Sequence, residues 1–205
     1  MIGIVDYGVG NLASVQNALE HLGHDASVCS DPYAFQAFDR IILPGVGSFR
    51  VAMDRLDAQG WSARIREFVA TGKPLLGICL GMQLLFDKGE EHGPRQGLGL
   101  IPGQVTALTP KDGLRVPHVG WNNLATIVPH PLLSGIKRQV DFYFVHSFHC
   151  VPEEHSAILA TCDYGGEFVA MVARGNVAGA QFHPEKSQPI GLRLLHNFAD
   201  WSPGC

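Results

Sequence analysis

Short apolar runs alternate with helical stripes through the first half of this chain, and that alternation leaves few folds open. Ile2–Val5 is an apolar run of strand length, followed by the glycine turn Gly8-Val9-Gly10-Asn11. Leu12, Val15, Leu19 and Leu22 then recur at helical spacing, with Gly23 placed to end the helix. Ala26–Cys29 and Arg40–Leu43 read as the second and third strands, the latter stopped by Pro44-Gly45. Met53, Leu56, Trp61, Ile65, Phe68 and Val69 predict helical cover. Pro74–Ile78 reads as a fourth strand, and Leu80–Phe86 as the start of another helix. Strands separated by helices predict an α/β fold whose mostly parallel sheet is covered on both faces.

The second half has a different rhythm. From Asp87 to Gly103 the chain is polar and carries five glycines, which predicts a long loop. Strand-like runs follow at Val105–Leu108, Val140–Ser147, Ala157–Thr161, Phe168–Val172 and Val177–Phe182. They stand too close together for helical crossovers, so they predict an antiparallel extension of the sheet. Ser187 is placed as the N-cap of a last helix whose buried stripe is Ile190, Leu194, Phe198 and Trp201. No repeat, linker or low-complexity tract interrupts the 205 residues, so the expectation is one domain over 1–205.

Composition removes several classes of function. The net charge is −4, without the basic footprint of a nucleic-acid binder. No apolar run approaches the length of about 18 residues that a membrane helix needs. The N-terminus has neither a basic segment nor a cleavage site, so a cytoplasmic protein with no membrane partner is expected. Cys29, Cys79, Cys150, Cys162 and Cys205 are odd in number, widely spaced and without a C-x-x-C pair. That argues against a disulfide framework or a zinc ribbon, and neither metal nor cofactor is expected.

One cysteine is different. Gly77-Ile78-Cys79-Leu80-Gly81 is G-x-C-x-G between an apolar strand and an apolar helix, the cysteine form of a nucleophile elbow. The turn is so sharp that the residues two before and two after the nucleophile crowd each other, so both need to be glycine. The elbow also sets the sulfur at a helix start, where the dipole favours thiolate. A thiol nucleophile needs a base, and the base an orienting group. His183 and Glu185 lie just past the strand Val177–Phe182, two residues apart and stiffened by Pro184. In a parallel sheet the strand C-termini gather at one edge, where ligands bind. Pro44-Gly45-Val46-Gly47-Ser48 reaches the same edge, where backbone N–H groups there and at Leu80 are candidates for stabilising an oxyanion. Taken singly, each feature also has a plain reading, as a buried cysteine, a strand-capping histidine or an ordinary βα turn.

Together, Pro44-Gly45-Val46-Gly47, Gly77-Ile78-Cys79-Leu80-Gly81-Met82-Gln83 and His183-Pro184-Glu185 resemble the class I (triad) glutamine amidotransferases along nearly the whole chain. The resemblance implies a flavodoxin-like sheet and hydrolysis of glutamine to glutamate and ammonia, with Cys79, His183 and Glu185 as the triad. It also implies that Gln83 and Glu91 contact glutamine, and that the Ser147-Phe148 backbone holds its carboxylate. Asp6-Tyr7-Gly8-Val9-Gly10-Asn11, Pro117-His118-Val119-Gly120-Trp121-Asn122, Tyr143-Phe144-Val145-His146 and Lys186-Ser187 resemble one subfamily, the glutaminase subunits of imidazole glycerol phosphate synthases. That likeness implies a (β/α)₈-barrel cyclase subunit as partner, with Asn11, His118, Trp121, Tyr143 and Lys186 forming the rim that meets it.

Other readings remain open at this point. Gly8-Val9-Gly10-Asn11-Leu12-Ala13 matches a dinucleotide-binding G-x-G-x-x-A, with Asp31 where a ribose-binding acid would stand. That reading leaves the Cys79 elbow and His183-Pro184-Glu185 unexplained. A non-catalytic subunit, a free-standing cysteine hydrolase for another amide, and a metal site at His146, His149 and His155 are further alternatives. The last lacks an acidic or thiolate ligand at suitable spacing.

Overall fold

The computed structural model describes residues 1–111 and 113–203. In chain order the strands are β1 (Ile2–Val5), β2 (Ala26–Cys29), β3 (Arg40–Gly45), β4 (Leu75–Cys79), β5 (Phe86–Gly89), β6 (Arg95–Gln96) and β7 (Ile101–Ala107). They continue with β8 (His118–Ile127), β9 (Asp141–His146), β10 (Phe148–Pro152), β11 (Ile158–Asp163), β12 (Glu167–Arg174) and β13 (Val177–Ala180). Among the described residues nine of them form one sheet in the order β2-β1-β3-β4-β13-β12-β11-β8-β9.

β2, β1, β3 and β4 are parallel. β13 is parallel to β4 on one side and antiparallel to β12 on the other. A strand from late in the chain therefore completes the parallel block in flavodoxin-like order. From β12 to β9 every pairing is antiparallel. The α/β sheet with an antiparallel extension is the architecture expected from the sequence.

Helices α1 (Leu12–His21) and α5 (Gln188–Asp200) cover one face, and α2 (Phe49–Ala58) and α3 (Trp61–Ala70) the other. Neighbouring strand residues feed opposite cores: Ile4 and Ile42 pack with Leu19 and Phe198, while Val5 and Leu43 pack with Trp61 and Phe68. Strands buried on both faces read as continuous apolar runs, which is why β1 and β4 were plain in the sequence. None of the described helices is long and apolar enough to cross a membrane.

Three expectations need correction, and β8 was not expected at all. The stretch from Asp87 to Gly103 is not one loop. It holds most of β5, all of β6 and the start of β7, which with β10 form a second sheet in the order β10-β7-β5-β6. Its glycines serve packing as well as turns: a Cβ on Gly89 would stand 2.6 Å from the Phe49 ring. The helix expected over Leu80–Phe86 is only α4 (Leu80–Leu84), because Phe86 already belongs to β5. β8, where no strand was expected, breaks its apolar residues with Gly120 and Asn122-Asn123, yet it lies between β11 and β9. Ser187 makes no side-chain cap for α5. Its hydroxyl donates to the His183 carbonyl at 2.6 Å and accepts the Tyr143 N–H at 3.0 Å.

Candidate active site

β3, β4 and β13 end at one edge of the large sheet, with Gly45 in register beside Cys79. Cys79 is the last residue of β4 and directly precedes α4. Its backbone stands at φ 54° and ψ −111°, which a residue with a side chain adopts only when its surroundings enforce it. Crowding supplies the enforcement. A Cβ on Gly77 would lie 2.5 Å from the Gly81 carbonyl oxygen, and one on Gly81 would strike the Leu43 carbonyl oxygen. Both flanking glycines are thus required by packing. α4 has five residues, so the dipole behind the thiol is that of a short helix.

His183 follows β13, and its Nδ1 lies 2.8 Å from Glu185 Oε1. The Glu185 side chain is 1% exposed. His183 Nε2 is buried without a hydrogen-bond partner among the described residues, and its ring shares a cavity with the Cys79 thiol. Burial works to lower the His183 pKa. The neighbouring Cys79 and the hydrogen-bonded Glu185 outweigh burial and carry the pKa up to about 9. The turn bearing these groups is anchored by the His183 N–H, which donates to the Tyr143 carbonyl at 2.9 Å, and by the Ser187 hydroxyl.

The cavity holds about 330 Å³, within the range of small-molecule sites. Val46, Gly47, Leu80, Gln83, Glu91, Ser147 and Phe148 all line it. Gly45 ends β3 next to the cavity without lining it. A Cβ there would stand 2.7 Å from the buried Tyr7 hydroxyl. Glu91 Oε2 accepts the Phe49 N–H at 2.7 Å, so this carboxylate also holds the start of α2. Gln83 Nε2 donates to the Phe148 carbonyl and to Gln181 Oε1, both at 3.0 Å. Gln181 Nε2 in turn lies 3.9 Å from Cys79 Sγ.

Sequence reasoning missed Gln181 and the part His146 plays in the cavity wall. Both were findable by alternation. Gln181 and His183 are two apart on an extended segment, so they face the same way. His146 continues the buried alternation of Phe142 and Phe144 on β9.

Of the five rim residues, four gather at this edge. The Trp121 and Tyr143 rings meet edge-on with centroids 5.8 Å apart, and Lys186 Nζ sits 5.7 Å from the centre of the Tyr143 ring. Asn11 leads into α1, which packs beside the Pro184–Lys186 turn. Trp121 is 48% exposed. His118 is a correction, being only 2% exposed. It lies an odd number of residues from Trp121 on β8 and so points inward, stacked against Phe144 and Tyr164. Among the described residues no group of three or more His, Cys, Asp or Glu side chains is arranged to hold a metal. Cys205 lies outside the described residues.

A buried thiol on an elbow, beside a carboxylate-bound histidine in a small cavity, is an arrangement for acyl transfer. Residues 3–201 match the glutamine amidotransferase class-I family, and the chain belongs to that family. A solved structure described as a glutamine amidotransferase superposes with a TM-score of 0.75 at 20% identity, over 98% of this chain and 99% of its own. The curated relatives are more specific. The chain is 52% identical to imidazole glycerol phosphate synthase subunit HisH of Desulfitobacterium hafniense (strain DSM 10664 / DCB-2), over 98% of this chain and 94% of that protein. It is 50% identical to the HisH subunit of Syntrophotalea carbinolica, over 98% of this chain and all of that protein.

Proposed function

We propose that this chain is the glutaminase subunit of imidazole glycerol phosphate synthase. It hydrolyses glutamine to glutamate and passes the ammonia to a (β/α)₈-barrel cyclase subunit. The observation that carries the reading is the 2.8 Å pair between His183 Nδ1 and Glu185 Oε1, with Nε2 left free in the cavity that holds the Cys79 thiol.

The chemistry follows from those positions. The Cys79 proton rests on His183 Nε2, the cationic state that the raised His183 pKa favours, and the thiolate attacks the side-chain amide carbon of glutamine. The tetrahedral oxyanion is met by the Leu80 N–H and by a backbone N–H near Val46. His183 then protonates the departing nitrogen as ammonia, leaving a thioester on Cys79. Water, deprotonated by the now neutral His183 Nε2, adds to the thioester, and glutamate departs as His183 returns the proton to the Cys79 sulfur. Glu185 keeps the imidazole oriented and stabilises its cationic form throughout. Gln83, Glu91 and the Ser147-Phe148 backbone hold the amino-acid end of the substrate.

The reading includes a partner that uses the ammonia, docked over the Asn11, Trp121, Tyr143 and Lys186 rim. The cyclase uses the ammonia to form imidazole glycerol phosphate and aminoimidazole carboxamide ribotide in histidine biosynthesis, in the cytoplasm. The peptide near Val46 lies between Gly45 and Gly47, and Gly47 sits at φ +93°. Glycine tolerates the reoriented peptide, so the oxyanion donor becomes available when the partner docks. The test is an ammonia-release assay on a panel of amides, with and without the cyclase. Glutamine alone should react, and appreciably only in the complex. Release from other amides, or none from glutamine in the complex, overturns the reading.

A further inference from the structure

Two histidines unused by this mechanism meet at the cavity, His146 in its wall and His118 packed behind it. His118 Nδ1 and His146 Nε2 are 3.0 Å apart, and His146 Nδ1 lies 2.9 Å from the Phe148 carbonyl oxygen. A carbonyl only accepts, so His146 Nδ1 carries the hydrogen. Burial pushes both pKa values down to about 4, leaving both rings neutral near pH 7. A neutral imidazole bears one hydrogen, so His146 Nε2 accepts and His118 Nδ1 donates. The packing therefore fixes both tautomers.

The Phe148 carbonyl also accepts the hydrogen bond from Gln83 Nε2, so both of its lone pairs are occupied. Gln83 leads on through Gln181 to the Cys79 thiol. At Ser147 the backbone leaves the large sheet, where β9 ends, and enters the small one, where β10 begins. At that crossing the Ser147 carbonyl accepts the Leu108 N–H at 2.8 Å, while the Phe148 carbonyl is held by the Gln83 and His146 side chains. Phe144 and Phe168 surround the two imidazoles, and phenylalanines there would fill the space without burying ring nitrogens.

We infer that His118 and His146 form a tautomer-locked clamp that positions the Ser147-Phe148 backbone for glutamine. Both are positioning residues that act through the Phe148 carbonyl. The inference rests on the reading of this cavity as a glutamine site. It also links β8, which bears Trp121 on its outer face, to the cavity wall through His118 on its inner face.

The test has two arms. Nitrogen-15 NMR of the labelled full-length chain at pH 7 should show both rings neutral, each with its hydrogen on Nδ1. In the complex with the cyclase, His118→Phe should raise the glutamine KM roughly five- to tenfold, the worth of one hydrogen bond, with kcat within about twofold. His118→Asn, whose amide nitrogen stands near the lost Nδ1, should recover most of that KM. Iodoacetamide labelling of Cys79 should be unchanged in both variants. A wild-type KM in His118→Phe overturns the clamp, as do equal losses in both variants or a hydrogen on His146 Nε2. If neither variant folds, the wild-type tautomers decide. A wild-type complex that releases no ammonia from glutamine overturns the glutaminase reading instead, and the NMR arm still judges the clamp.

Discussion

The backbone N–H of His183 donates to the carbonyl oxygen of Tyr143 at 2.9 Å, so one hydrogen bond joins the proposed base to the aromatic rim. The Tyr143 ring carries Lys186 on it and Trp121 beside it. A partner that docks on the rim therefore presses on the strand that holds the base.

Lys186→Ala tests that contact. An exposed lysine beside the cavity mouth can pair with an acidic group of the cyclase, and truncating such a pair weakens association roughly tenfold or more. Titrating glutaminase activity against cyclase should show the loss, or show ammonia escaping unused. Cys79 labelling should remain intact. Unchanged affinity and coupling would leave Lys186 as an ordinary solvated side chain.

Cys79→Ala should abolish glutamine hydrolysis and remove labelling by a glutamine-like electrophile. The other described cysteines should stay unreactive. Burial raises the Cys29 and Cys150 pKa values and pushes that of Cys162 up to about 12. Labelling at full stoichiometry in Cys79→Ala would assign the nucleophile elsewhere.

The same variant separates making ammonia from using it. With the cyclase present and free ammonia supplied, Cys79→Ala should turn over at a near-normal rate. Complete loss would mean that the substitution disrupts assembly, or that the division of labour is wrong.

Gly81→Ala should be among the most damaging substitutions of one atom group in the chain. The new Cβ has only the Leu43 carbonyl to occupy, and neither backbone gives way cheaply. We expect a fall in Tm of roughly 10 °C or more, or insoluble protein. Gly72→Ala is the control. It has φ +85° but open space, so its cost should be about 1 kcal/mol of backbone strain. Comparable melting points in the two variants would contradict the elbow argument.

The pH dependence has a definite sign. Folded His183 holds its proton to about pH 9, whereas an unfolded histidine releases it near 6.5. Its stabilising contribution is complete below about 6.5 and is lost as pH rises through about 9. Denaturant midpoints of wild type and Glu185→Gln, measured from pH 6 to 10, should converge at the alkaline end. A gap that stays constant would show that the pair is not what raises the proton affinity.

The parallel half and the elbow were legible because their causes are local. Ile2–Val5 and Pro74–Ile78 are unbroken apolar runs, and Gly77 and Gly81 sit where a sharp turn leaves no room. β8 and β6 were not legible. β6 is two polar residues paired with nearby β5, and β8 mixes apolar residues with Gly120 and Asn122-Asn123 and is held by the later strands β9 and β11. Ser187 looked like a helix cap because it has the right residue type in the right place. Its hydroxyl instead bridges His183 and Tyr143, a competition between local and tertiary partners that sequence spacing does not resolve. His118 was read as surface because it shares a motif with Trp121, though strand parity turns the two to opposite faces.

The position of β13 between β4 and β12 also governs when this molecule can exist during its own synthesis. β13 emerges about a hundred residues after β4, yet it becomes an interior member of the sheet. Until it arrives, the nascent chain presents the bare edge of β4, an apolar strand ready to pair with any other. His183 and Glu185 emerge only after it. A ribosome-bound fragment ending before residue 177 therefore carries the thiol with no base, and a chaperone's natural binding site in place of an enzyme.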